Sequence, residues 1–267
     1  MKFGTGIGIV ISLVGIAMGA TMEGTNVMVV LNVPAILIVL VGTLGASIAA
    51  CGLAANIRLP KLFIKALMPD ELDLVARVEE LVGYAERARR DGLLALDEAV
   101  KEIQDPFTKK GVQLVVDGTD PDLVAAVLDA ENEAMRKRHT AARNPFMQAG
   151  ALAPTMGIIG TVFGLVNVMN NLNNPSSLGP LIAAAFLATL MGVGSANVVF
   201  LPMANRLKEL SEEEMHFREM TLEGILAIQA GDNPRVIAEK LMAYVPPSER
   251  PSEEEQAARA AAQKQAA

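Results

Sequence analysis

Several kinds of side chain are scarce or missing in this sequence, and their absence limits what the protein can do. The 267 residues include no Trp, two His and one Cys. Cys51 cannot form an intrachain disulfide, and it lies in an apolar run where a small packing residue is expected. His139 and His216 have no companions at metal-ligand spacing, and there is no nucleophile elbow or phosphate-binding loop. We therefore predict neither an enzyme nor a bound cofactor, and the net charge of -7 argues against a nucleic-acid partner.

Charged side chains are missing from four long stretches of the chain. No charged residue lies between Arg143 and Arg206, a gap of 62 residues in a sequence that is 51% hydrophobic. A helix needs about 20 apolar residues to cross a hydrocarbon core about 30 Å thick. The polar turn at residues 170–177 divides the gap into two spans. Together the charge-free stretches predict four transmembrane helices, near residues 3–22, 33–55, 146–169 and 178–203.

The first apolar stretch has an alternative interpretation. Lys2 before an apolar run, and Ala17 before Gly19, also resemble a cleavable signal peptide. The run is long for such a leader, and it pairs with the second apolar stretch through a short connection. We therefore expect the first span to be retained.

Lysine and arginine residues beside the spans predict the orientation. Ten of them fall on one side of the four-span arrangement: Lys2, Arg58, Lys61, Lys65, Arg136, Lys137, Arg138, Arg143, Arg206 and Lys208. The two turns on the opposite side contain none. By the positive-inside rule we expect both termini in the cytoplasm and the protein in the inner membrane.

The predicted fold is all-α, a polytopic membrane protein with a helical cytoplasmic domain between the second and third spans. Residues 58–143 hold 14 Lys or Arg and 17 Asp or Glu, which indicates a solvated domain. The expected boundaries are 1–57 for the first two spans, 58–145 for the cytoplasmic domain, 146–205 for the last two spans, 206–247 for cytoplasmic helices and 248–267 for a disordered tail.

Within the charged segments, capping residues and apolar spacing predict individual helices. One is expected from Pro69 and Asp70 to Gly92, and a second over residues 93–103, stopped by Asp105 and Pro106. Thr119, Asp120 and Pro121 should open a helix that continues toward the membrane, and Asn233 with Pro234 should open a last short one.

The spans contain no Asp, Glu, Lys, Arg or His, so the chain by itself offers no such titrating group for a proton path. Pro154 and Thr161 in the third span, and Thr189 and Pro202 in the fourth, are candidates to line an ion path, because a proline frees a backbone carbonyl and a threonine supplies a hydroxyl. The structural alternatives are a packing kink at each proline and a bond from each hydroxyl to its own helix.

The charged segment carries Arg87, Arg89 and Arg90, followed by Asp97 and Glu98. This pattern places basic and acidic groups about two helical turns apart. Without further information a solvated charged face is the ordinary interpretation.

Several segments resemble the MotA/PomA family of flagellar stator subunits. The run APTMGIIGTVFGL, from Ala153 to Leu165, resembles the third span of that family. Residues 92–97, 114–118 and 224–236 resemble further family segments, and the resemblance covers nearly the whole chain in order.

The resemblance implies an assembly and a partner. It implies a homopentamer around a dimer of a single-span MotB or PomB subunit, which carries the membrane Asp that this chain lacks. Flow of H⁺ or Na⁺ at that Asp would drive rotation of the ring against the rotor protein FliG. A membrane-lipid environment and a role in chemotaxis and flagellar rotation follow from the same resemblance.

The resemblance also implies residue roles. Pro154 and Pro202 match the two functional prolines, and Thr161 and Thr189 match hydroxyls tied to ion passage. The rotor-facing charges are matched by Arg89, Arg90 and Asp97, with Glu98 a neighbour. Asp97 stands where glutamate is usual, and Ala188 stands where sodium-type members tend to have a second threonine.

Three other functions compete with the stator. An ExbB or TolQ type energiser subunit shares the proline-bearing spans without acids but usually has three of them. A secondary transporter would need an internal repeat and a mid-membrane substrate site, and the sequence shows no such repeat. A passive scaffold would tolerate substitution of Pro154.

Overall fold

The structure is a computed structural model that describes residues 4–25, 28 and 32–251. Lys2, Phe3, part of the first predicted outer turn and most of the predicted tail at 248–267 lie outside these residues. The helices are α1 (Gly4–Met22), α2 (Val33–Cys51), α3 (Leu53–Asn56), α4 (Leu59–Leu67), α5 (Leu74–Asp91), α6 (Leu96–Glu102), α7 (Pro106–Val116), α8 (Pro121–Asn170), α9 (Pro175–Ala230) and α10 (Pro234–Met242). The described part of the chain contains no strand, which confirms the all-α prediction.

Among the described residues, four helices are long and apolar enough to cross a membrane: α1, α2 and segments of α8 and α9. This confirms the four predicted spans. The third and fourth spans belong to much longer helices, of 50 residues in α8 and 56 in α9. The helix predicted to run from Pro121 toward the membrane does so, and it is continuous with the third span.

Two of the spans contain a wider π-helical turn. In α2 it covers Leu37–Val41, and in α9 it covers Ala196–Phe200. The N–H of Leu201 accordingly donates to the carbonyl of Ala196, five residues earlier. Pro202 follows directly, and because proline lacks an N–H and its ring crowds the carbonyl four residues back, a wider turn here relieves that conflict.

The chain divides into two compact units. We call the first the span unit; it comprises the described residues up to Asp70 together with Lys137–Ser211. We call the second the charged unit; it comprises Glu71–Arg136 and the described residues from Glu212 onward. The charged unit is thus assembled from two distant parts of the sequence.

Three helices of the charged unit begin with the same local chemistry, an acidic or amide side chain followed by proline. The side chain of Asp105 accepts bonds from the N–H groups of Phe107 and Thr108. Asp120 accepts from the N–H of Asp122, and Asn233 accepts from the N–H of Arg235. Each cap satisfies amides that have no partner inside the helix, and proline at the first helical position costs no hydrogen bond.

One predicted helix limit in this unit was wrong, and one helix was missed. The first helix begins at Leu74 and not at Pro69 and Asp70, because the side chain of Asp73 caps the N–H of Ala76 at 2.9 Å. Asp105 and Pro106 do not only end a helix but also start α7, which was not predicted. The last short helix starts at Pro234 as predicted.

The core of the charged unit is built from large apolar side chains. Leu81, Leu96, Phe107, Leu128 and Ile225 are each at most 1% exposed. They come from five helices and form one cluster, to which α10 also contributes. Burial of such side chains is worth about 1.5–3 kcal/mol each, so the hydrophobic effect accounts for the cohesion of this unit.

In the span unit, α8 and α9 pack against each other through small residues. A Cβ added at Gly157 would lie 2.8 Å from the carbonyl oxygen of Ala188, and one added at Gly192 would lie 2.5 Å from that of Ala153. The backbones of α8 and α9 therefore touch. Lipid offers no hydrophobic drive for helix association, so close backbone packing of this kind takes its place.

Candidate functional sites

Thr161 and Thr189 meet where α8 and α9 are in contact. Their hydroxyl oxygens are hydrogen-bonded to each other. Thr161 Oγ1 also lies 3.1 Å from the carbonyl oxygen of Gly157 and 3.1 Å from that of Ala185. Both residues are partly buried. Two predicted site residues are thus brought together as a polar spot between two spans that carry no charged residue.

Small residues explain why the two hydroxyls can approach. Gly157 and Gly164 lie on α8 four residues before and three residues after Thr161, and added Cβ atoms there would collide with Ala188 and Ala185 of α9. Ala185 and Ala188 are each 2% exposed. Close backbone approach therefore places Thr161 within reach of the carbonyls of both helices.

Pro154 lies inside α8, beside the contact with α9. Proline has no N–H, so the carbonyl of Gly150, four residues earlier, loses its helical donor. The carbonyl of the preceding Ala153 faces Gly192. Pro202 lies beside the π turn of α9. Each predicted proline therefore coincides with an irregularity in the backbone hydrogen bonding of its helix.

A buried polar cluster joins α2, α3 and α8, and no sequence motif predicts it. Ser47 Oγ donates to Asn56 Oδ1 at 2.9 Å and approaches the carbonyl oxygen of Pro145 at 3.3 Å. Asn56 Nδ2 donates to the carbonyl of Gly52 at 2.9 Å. The φ of Gly52 is +82°, in the left-handed region that favours glycine. The cluster holds the break between α2 and α3 in place.

The predicted rotor-facing charges lie on both sides of the turn between α5 and α6. Gly92 ends α5 with a φ of +87°, so the basic and acidic groups belong to different helices. Arg87 pairs with Glu98 at 3.1 Å, and Lys101 lies 3.6 Å from Asp97. The side chain of Glu98 is 80% exposed. These pairs are solvent-exposed and contribute little to stability.

Arg89 and Arg90 form a cleft with a residue that the sequence did not single out. The cleft has a volume of about 310 Å³, and Arg235, from the first turn of α10, is its third arginine. Arg90 pairs with its neighbour Asp91 at 3.0 Å. Within the described part of the chain, no carboxylate pairs with Arg89 or Arg235. Asp97 and Glu98 do not line this cleft.

The sequence contained a signal for Arg235. It is the arginine of the NPR segment at residues 233–235, where Asn233 and Pro234 start α10. The capping prediction fixed the start of that helix but could not show that its first turn faces the end of α5. Among the described residues no group of three or more His, Cys, Asp or Glu is arranged to hold a metal ion.

Comparisons with known proteins agree with this architecture. Residues 99–220 match the MotA/TolQ/ExbB proton channel family. The chain is 37% identical to Motility protein A of Bacillus subtilis (strain 168), over 91% of each protein. It is 36% identical to chemotaxis protein PomA of Vibrio alginolyticus, over 87% of this chain and 88% of that protein.

Solved structures show the same fold. The chain superposes on a chain of C. jejuni MotAB with a TM-score of 0.88 at 28% identity, covering 92% of this chain and 97% of that one. For the flagellar MotAB stator complex from Bacillus subtilis the TM-score is 0.86 at 36% identity, with 91% and 96% covered. The chain belongs to the MotA/PomA family of flagellar stator subunits. The ExbB/TolQ alternative applies only at the level of the broader family.

Proposed function

We propose that the chain is the membrane subunit of an ion-driven flagellar stator and that H⁺ or Na⁺ passes beside Thr161 and Thr189. The observation that carries the proposal is the partly buried hydroxyl pair on spans without Asp, Glu, Lys, Arg or His. Ion transfer through a membrane requires a polar path, and proton transfer requires a titrating group. A MotB/PomB-type single-span partner that brings a membrane Asp to this hydroxyl pair would complete the path. The proposal assigns the chain no enzymatic reaction.

Pro154 and Pro202 act in this proposal as hinges of the third and fourth spans. Each removes one helical hydrogen bond, and Pro202 adjoins a π turn. A helix that lacks one bond bends at lower cost than a regular one, which suits a subunit that must move with each ion passed. The same carbonyls, when free of helical donors, are available to a hydrated ion.

We call the cleft formed with Arg89, Arg90 and Arg235 the arginine cleft, and we propose that it contacts the rotor. Three guanidinium groups outnumber the one lining carboxylate, Glu86, so the cleft favours an anionic partner, and carboxylates of a rotor protein such as FliG have the matching charge. The exposed pair of Arg90 with Asp91 is worth about 0–1 kcal/mol, so a partner carboxylate can replace it at small cost. Asp97 and Glu98, outside the cleft, would supply the opposite charge beside it.

The assembly and its orientation belong to the same proposal. We propose a homopentamer around two copies of the single-span partner, embedded in lipid of the inner membrane. Both termini face the cytoplasm in this arrangement, because all ten flanking Lys and Arg fall on that side. The domain limits at 57, 145, 205 and 247 follow from the same assignment of spans.

The ion path is tested by replacing the Thr161 hydroxyl. Thr161→Val keeps the shape of the side chain but removes the hydroxyl, and Thr161→Ser keeps the hydroxyl. We expect swimming speed in a strain lacking its own copy of this subunit to fall at least about tenfold with Val and less than about twofold with Ser. Equal swimming with both variants, at equal amounts of protein in the membrane, would rule out a role for the hydroxyl.

The rotor contact is tested by charge reversal. Arg90→Glu and Arg235→Glu should impair stator recruitment and swimming, and reversal of an acidic rotor residue should restore part of the loss. Lys109→Glu is the matched control, because Lys109 is exposed in the same unit and does not line the cleft. A loss as large with Lys109→Glu would show that net charge matters and the cleft does not.

A further inference from the structure

A second cleft lies in the charged unit, between residues of α8 and residues of α9. Its volume is about 700 Å³. Carboxylates line it from both helices, Asp129 and Glu133 from α8 and Glu212 and Glu219 from α9. Arg136 lines it too, but its guanidinium is paired with Glu133 at 2.6 Å. We call it the acidic cleft.

A buried amide in the acidic cleft has hydrogen-bonding capacity that nothing in the described structure uses. Asn132 lines the cleft and is 3% exposed. Neither its Nδ2 nor its Oδ1 has a hydrogen-bond partner. Burying an unpaired polar group lowers stability, and leucine would fill the same space without that cost. The amide therefore indicates a ligand that completes its bonding.

Two of the carboxylates are also without partners. Among the described residues, no side chain pairs with Asp129 or Glu219. Each is an acceptor for a cation. Met215 adds an apolar wall to the same cleft, which suits the methylene stem of a lysine or arginine side chain.

The carboxylates are spread out along the helices. The lining residues span 129–136 on α8 and 212–219 on α9, a length of about 10 Å along each helix. A single ammonium ion cannot contact all of them, whereas two or more basic side chains of one segment can. The carboxylates are also too far apart for a metal site, since no three acidic or His groups of the described chain are arranged to hold a metal ion.

We propose that the acidic cleft binds a segment of a partner polypeptide that carries lysine or arginine side chains. Basic groups of the segment pair with Asp129 and Glu219, and a donor and an acceptor of the segment satisfy the amide of Asn132. This site is distinct from the arginine cleft, which takes the opposite charge. It does not depend on the stator assignment.

The first test measures binding of an octalysine peptide to the purified full-length chain in lipid nanodiscs. Asp129→Asn with Glu219→Gln should weaken binding about tenfold, and raised salt should weaken it further. The matched control is Glu102→Gln with Glu239→Gln, which removes the same charge at exposed positions outside the cleft. We expect the control to change affinity less than about twofold. An equal loss in both double variants would show attraction to net charge only and overturn the proposal.

The second test uses the cost of the unpaired amide. Asn132→Leu should raise the thermal unfolding temperature of the full-length chain and at the same time weaken octalysine binding about threefold or more. A purely structural asparagine would give the reverse, a lower unfolding temperature with unchanged binding. Spermine serves as a free polyamine; if it binds more tightly than octalysine and displaces it, the ligand is a small polyamine and the polypeptide proposal is wrong.

Discussion

The span unit and the charged unit are both bundles of helices, but different side chains hold them together. In the charged unit Leu81, Phe107 and Leu128 are buried and the charges are exposed. In the span unit large side chains such as Ile158 and Phe163 are more than half exposed, and α8 and α9 meet through small residues such as Gly157 and Ala188, although Phe146 and Met203 form a smaller buried cluster. Water expels large apolar groups into a core, whereas lipid does not distinguish them from itself. Each unit is therefore sensitive to a different kind of substitution.

The largest expected effect concerns the core of the charged unit. Leu81→Ala should destabilise this unit by about 2–5 kcal/mol, because it removes buried methyl groups and leaves a cavity. Phe163→Ala removes a larger side chain, but one that is 64% exposed in the span unit, and should cost the helix packing of the chain far less. Thermal unfolding of the two purified full-length variants, followed by helical circular dichroism, measures both. A Phe163→Ala loss equal to that of Leu81→Ala would show that the exposed side chains of the spans stabilise the fold as much as the buried ones of the charged unit do.

The next prediction concerns enlarging a glycine, which should be more harmful in the span unit than in the charged unit. Gly192→Ala adds a methyl group 2.5 Å from a backbone carbonyl and 3.0 Å from the Cα of Gly157, neither of which can move aside freely. It should cost about 1–3 kcal/mol or more and reduce the amount of folded protein in the membrane. Gly111→Ala in the charged unit meets Cδ1 atoms of Ile225 and Leu128, which are ends of flexible side chains. Alanine is more favourable than glycine in a helix by about 1 kcal/mol, and this gain should offset much of the steric cost of that contact.

The measurement for this pair is the amount of full-length protein in the membrane together with its unfolding temperature. The control is Gly45→Ala in α2, another helix of the span unit, where an added Cβ would meet nothing within 4 Å. If Gly192→Ala accumulates and unfolds like wild type, α8 and α9 are not held by close backbone contact.

The two units also differ in how much of their structure the sequence predicts. The spans follow from the missing charges, since burying a charge in lipid is so costly that its absence over about 20 residues is a direct signal. The helix starts at Pro121 and Pro234 follow from capping, which is local. The start of α7 was missed because Asp105 followed by Pro106 ends one helix and begins the next, and local chemistry permits both.

What the sequence did not predict depends on contacts between distant residues. Arg235 joins Arg89 and Arg90 only because α10 packs against α5, more than 140 positions away. The π turn before Pro202 is one of two ways in which a helix can accommodate a proline. A simple kink would be equally compatible with the same sequence. The sequence allowed the Thr161 hydroxyl either to bond its own helix or to face another polar group, and the structure contains both arrangements. The hydroxyl contacts its own helix at Gly157 and the other helix at Ala185 and Thr189.

The smallest expected effect concerns the phenolic proton of Tyr84 in the charged unit. Burial and a 2.6 Å hydrogen bond to Glu80 raise the pKa of Tyr84 well above its usual value of 10.0. The folded state therefore holds this proton more tightly than the unfolded state. A group with a raised pKa contributes stability that is fully present below the unfolded pKa, here about 10, and is lost as the pH rises toward the folded pKa.

The sequence makes this shift measurable, because it contains no Trp and only two Tyr, Tyr84 and Tyr244. In a Tyr244→Phe chain the near-ultraviolet tyrosinate signal comes from Tyr84 alone, and in the folded protein it should appear at higher pH than in the same chain unfolded in urea. Tyr84→Phe should lower stability at neutral pH by about 0.5–1.5 kcal/mol through loss of the bond to Glu80. The stability of that variant should then fall less steeply above pH of about 10 than that of wild type, because the linked proton is gone. Coincident titration of Tyr84 in the folded and unfolded chains would contradict the burial of this phenol and its bond to Glu80.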